Sequence, residues 1–68
     1  MKRLAKMLIN KRLEKNLNQT EAANLIGIDR TTLWKIETKN KTNLSYVTIR
    51  KIAAFLEISE KDVRELLW

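Results

Sequence analysis

The chain has 68 residues, 44% of them apolar, with a formal net charge of +6 and neither cysteine nor histidine. A chain of that length forms one small domain near the lower limit for folding without disulfides or metal, which excludes a sizeable ligand cavity. Disulfides are excluded, zinc would find only carboxylates, and no apolar run approaches the roughly 20 residues of a membrane span.

The first helix is expected over about residues 2–15, with Leu4, Met7, Leu8 and Leu13 on its inner face. Lys6 and Lys11 interrupt its apolar residues, so it does not read as a signal peptide, and a cytoplasmic location is expected. Further along, one local pattern occurs four times: Leu17-Asn18…Ala22, Ile28-Asp29…Leu33, Leu44-Ser45…Ile49 and Ile58-Ser59…Val63. Each joins a capping side chain to a hydrophobic staple, so each marks a helix start. Glu21 and Asp62 stand at the third helical position after their caps, as full capping boxes require.

The second helix should cover about 19–26 with Ala22, Ala23 and Ile26 inward, and the third about 30–37 with Leu33 and Ile36 inward. Gly27, the only glycine in a chain without proline, lies between them and marks a sharp turn. The paired alanines suit helices that cross closely at a steep angle; they are also ordinary helix formers. Tyr46, Ile49, Ile52, Ala53 and Leu56 form the apolar stripe of the fourth helix, and Val63, Leu66 and Leu67 that of a short fifth. No segment alternates with period two, so the chain reads as one all-α domain, residues 1–68, with short connections.

Charge is unevenly placed. Residues 1–17 carry +5 and residues 38–51 carry +4, whereas residues 57–68 carry −2. Such a distribution favours a polyanion on one side, and it also serves a solubilising surface. Within the third helix, advancing about 100° per residue places Arg30, Thr31, Trp34 and Lys35 opposite Leu33 and Ile36. A guanidinium, a hydroxyl with its methyl, and an ammonium suit base edges in a DNA major groove. Trp34 on that face has two readings: contact with a ligand, or packing against the basic loop or a dimer partner.

Asp29 caps this helix and complements its dipole, so its sign disfavours a phosphate role. Gln19 opens the second helix, where free backbone N–H groups and a side-chain amide suit a phosphate. Lys39, Asn40 and Lys41, in the polar segment 38–43, are candidates for the same role or simply a solvated connection.

Catalysis is not expected: no imidazole or thiol is present, Ser45 and Ser59 serve as caps, and the acids near the C-terminus lack calcium-loop spacing. Neither a cofactor, a metal nor a small-molecule ligand is expected.

Taken together, Leu17-Asn18-Gln19, Glu21, Ala22-Ala23, Ile26-Gly27, Leu33, Ile36-Glu37, Ile52-Ala53, Leu56 and Ile58-Ser59 resemble the Xre/Cro-like helix-turn-helix family of phage repressors and Cro proteins. The resemblance covers nearly the whole chain. It implies a five-helix, λ-repressor-like architecture with the helix-turn-helix in helices 2 and 3, and a homodimer on a near-palindromic operator that controls transcription. It further implies phosphate contact by Gln19, base contact by Arg30, Thr31 and Lys35, and an ion pair between Arg12 and Glu37. Two features depart from the family pattern: Thr38-Lys39 replace the usual Asn-Gly, and Trp34 replaces a small polar residue. An alternative use of the same scaffold is an antitoxin-like protein-interaction module, with Trp34, Leu67 and Trp68 as its contact surface. The group Val63, Leu66, Leu67 and Trp68 is the candidate dimer interface.

Overall fold

In the computed structural model, which describes residues 3–67, five helices follow one another: α1 (Arg3–Glu14), α2 (Gln19–Ile26), α3 (Arg30–Thr38), α4 (Tyr46–Leu56) and α5 (Glu60–Leu66). The last four begin at the caps marked by the staple pattern. Asn18, Asp29, Ser45 and Ser59 each accept a hydrogen bond from the backbone N–H three residues on. Only Asn18 forms the reciprocal capping box, its own N–H donating to Glu21 Oε1 at 2.9 Å; at α5 the cap is the Ser59 half alone. Leu17, Ile28, Leu44 and Ile58, the outer members of the staples, rest half-buried on the core.

The core draws on every helix: Leu4 and Leu8 from α1, Ala22, Ala23 and Ile26 from α2, and Leu33 and Ile36 from α3. Ile49, Ile52, Ala53, Phe55 and Leu56 of α4 and Val63 of α5 complete it. α1 packs on α3, α4 and α5, while α2 packs on α3 and α4. Ala22 and Ala23 are fully covered, so their small size lets α2 approach both neighbours.

Two expected core positions lie outside. Leu13 is 59% exposed, because α1 ends one residue later and its last turn overhangs the bundle. Tyr46 is 55% exposed at the first position of α4, where its ring meets the guanidiniums of Arg50 and Arg64 instead of the core. Two buried residues went unassigned in the sequence: Ala5 and Phe55.

Gly27 closes α2 with φ +95°, as its place between the two helices requires. Lys51 of α4 lies over this turn and donates from Nζ to Gly27 O at 2.9 Å. Among the described residues three other left-handed positions are not glycine: Asn16, Asn40 and Glu57. Among the described residues no helix is long and apolar enough to cross a membrane.

Candidate nucleic-acid interface

α3 is fixed at three points. At its start Asp29 Oδ1 accepts from Thr32 N at 2.7 Å and Oδ2 from Thr32 Oγ1 at 3.1 Å. These bonds, the backbone one foremost, hold the Asp29 carboxyl below its ordinary range. Along its middle, Leu33 and Ile36 are buried in the core. At its end Glu37, a buried carboxylate, receives Arg12 from α1: Nε donates to Oε2 at 3.1 Å and Nη2 to Oε1 at 3.0 Å. A planar fork on a carboxylate constrains direction as well as distance. The orientation of α3 against α1 is therefore set by a bidentate bond, not by apolar packing alone.

Gln19 joins the same cluster. Its Nε2 donates to Glu37 Oε1 at 3.1 Å, a contact that local spacing does not reveal. The signal was its place at the first position of α2 within a helix-turn-helix, which brings it back toward the end of α3. One amide hydrogen is thereby committed. The second amide hydrogen is not used by that bond.

With that anchoring, Arg30, Thr31, Trp34 and Lys35 all face outward and are exposed. Trp34 is the least exposed of the aromatic and aliphatic surface residues at 38%, its ring lying 5.5 Å from Lys39 Nζ. Thr38 Oγ1 donates to the Trp34 carbonyl at 2.7 Å.

Beyond Thr38 the backbone N–H groups of Lys39 and Lys41 both donate to Lys35 O, and Asn40 between them takes φ +52°. Asn40 thus adopts a left-handed conformation one residue beyond Lys39, the position where the family pattern has glycine and where φ is −107° here. Lys41 is half-buried and its Nζ donates to Asn43 Oδ1 at 3.1 Å. Lys39 and Lys41 consequently hold intramolecular contacts that a phosphate would have to share or displace; at an exposed site such contacts are weak. Among the described residues no group of acidic side chains could hold a metal ion.

Of the C-terminal group, Val63 belongs to the core, Leu66 and Leu67 are half-buried against it, and Trp68 lies outside the described residues. Val63 is therefore withdrawn from any contact surface.

Comparison with known proteins agrees with this geometry. Residues 8–63 match a helix-turn-helix family model. The structure is similar to that of the restriction-modification controller protein C.AhdI from Aeromonas hydrophila. The TM-score is 0.68 and the identity 31%, over 90% of this chain and 91% of that one. No curated protein matches it in sequence. Matched over most of its length, with α2 and α3 joined at a left-handed glycine and α3 presenting a polar face, the chain belongs to the Xre/Cro-like helix-turn-helix family of DNA-binding transcriptional regulators.

Proposed function

We propose that this regulator is a sequence-specific repressor that binds a palindromic operator in double-stranded DNA as a homodimer. Arg30, Thr31, Trp34 and Lys35 read base edges, while Gln19, Lys39, Asn40 and Lys41 hold the phosphate backbone. The observation that carries the proposal is the bidentate Arg12–Glu37 clamp beneath an outward polar face. A reading helix must keep its direction while its side chains meet base edges, and a buried fork supplies that rigidity. The charge of +5 over residues 1–17 and +4 over residues 38–51 supports attraction to a polyanion. The likeness to a restriction-modification controller supports a regulatory role.

Dimerisation follows from operator logic, since two half-sites about 34–36 Å apart match a protein twofold axis. With Val63 in the core, the exposed Tyr46 and Val47 at the start of α4 are the apolar contact we assign to it. Val47→Glu should then shift sedimentation toward the monomer while helicity is retained.

Selection from random duplexes, with stoichiometry measured on the winning site, tests the whole reading: two chains on a near-palindrome are expected. On that site Arg30→Ala should cost about 1–3 kcal/mol and relax base choice at one position. Equal loss on random DNA would assign Arg30 to the backbone instead. Lys41→Ala should weaken binding uniformly and lower the salt slope by about one unit.

A further inference from the structure

The outward face of α3 holds one side chain that hydrogen bonding to bases does not explain. Trp34 offers mostly carbon, is 38% exposed, and stands where the family pattern has a small polar residue. Helical side chains lean toward the preceding turn, which brings the indole over Arg30 and Thr31. Those three residues line a shallow hollow of about 210 Å³. The Lys39 ammonium lies 5.5 Å from the ring centroid.

We propose that Trp34 is a specificity residue that reads the C5-methyl group of a pyrimidine next to a guanine held by Arg30. The inference rests on the DNA-recognition reading above. In the major groove the thymine methyl is the apolar group that a base pair presents, and every other recognition atom there is a donor or acceptor. An indole gains from contact with that group and gains nothing from a bare carbonyl or amine edge. Arginine takes guanine through O6 and N7. One helical turn rises 5.4 Å and one base step about 3.4 Å, so residues 30, 31 and 34 address neighbouring base pairs. The hollow between Arg30 and Trp34 therefore accepts a methylated pyrimidine–guanine neighbour pair: thymine, or equally 5-methylcytosine.

The test uses the full chain and the duplex that wins a random selection. Each thymine is replaced in turn by uracil, which removes only the methyl group. One thymine per half-site, adjacent to a guanine, should lose affinity about fourfold, the factor expected for burying one methyl. Placing cytosine at that position should weaken binding, and 5-methylcytosine there should bind about fourfold better than cytosine. Trp34→Ala and Trp34→Gln should both abolish these methyl effects, with unchanged circular dichroism showing that each variant is folded. Uracil tolerated at every position, or a methyl effect that survives in both folded variants, overturns the proposal while leaving operator recognition intact. A wild-type chain that selects no preferred duplex overturns the DNA-recognition reading itself.

Discussion

A carboxylate in an apolar interior is stable only when its partners are present, and Glu37 has three donated hydrogen bonds, two from Arg12 and one from Gln19. Removing Arg12 would leave that buried charge with a single amide. Arg12→Met should therefore cost about 3 kcal/mol or more in urea unfolding, whereas Arg12→Met with Glu37→Leu should recover much of the loss. If the pair also directs α3, the double variant will be stable yet poorer at telling the operator from random DNA. Gln19→Ala should weaken DNA binding beyond its small effect on stability, because it loosens Glu37 and removes the side chain we propose as a phosphate donor. The sequence contained Arg12, Gln19 and Glu37 in recognisable places. Their convergence on one carboxylate needed three helices to be placed first.

The helices themselves were legible because their starts are local chemistry. A capping side chain and its staple act within five residues, so Asn18, Asp29, Ser45 and Ser59 could be found without a fold. Replacing Asn18 by alanine should lower stability by about 1 kcal/mol, since it removes the side-chain oxygen that accepts from Glu21 N while leaving the backbone N–H that donates to Glu21. Helix ends were less legible. Gly27 announced one left-handed stop, but among the described residues Asn16, Asn40 and Glu57 also turn left-handed without glycine. Asparagine tolerates that conformation; glutamate does not, and Glu57 at φ 60° carries strain that its 3.4 Å contact with Lys11 offsets little. Glu57→Gly should accordingly raise stability, by about 0.5–1 kcal/mol in chemical unfolding. The reverse experiment is Gly27→Ala, expected to cost about 1–2 kcal/mol from backbone strain. Space is not the cause there, because an added Cβ would meet Lys51 Cδ at an ordinary 3.5 Å.

Across the molecule, charge and titration set the working range. Asp29 is held below its ordinary pKa by the N–H of Thr32, so the folded state prefers the carboxylate more than the unfolded chain does. Its contribution is then present above the unfolded value, about pH 4, and is lost as pH falls through the folded one. Acid titration should show α3 loosening only in that range. Asp29→Asn, which keeps a cap but cannot titrate, should flatten the profile. With no histidine, no side chain has an ordinary pKa between pH 5 and 8, so stability should stay level there.

Capping residues and staples marked four helix starts, apolar periodicity the first helix, and glycine the turn at position 27, because these depend on neighbours a few residues apart. Tertiary structure alone decided the rest. It turned Tyr46 and Leu13 outward, since helix ends overhang a small core, and drew Phe55 in. It bound Gln19 to Glu37 and set Lys39 beside Trp34, because side chains from separate turns meet only after the backbone has been positioned.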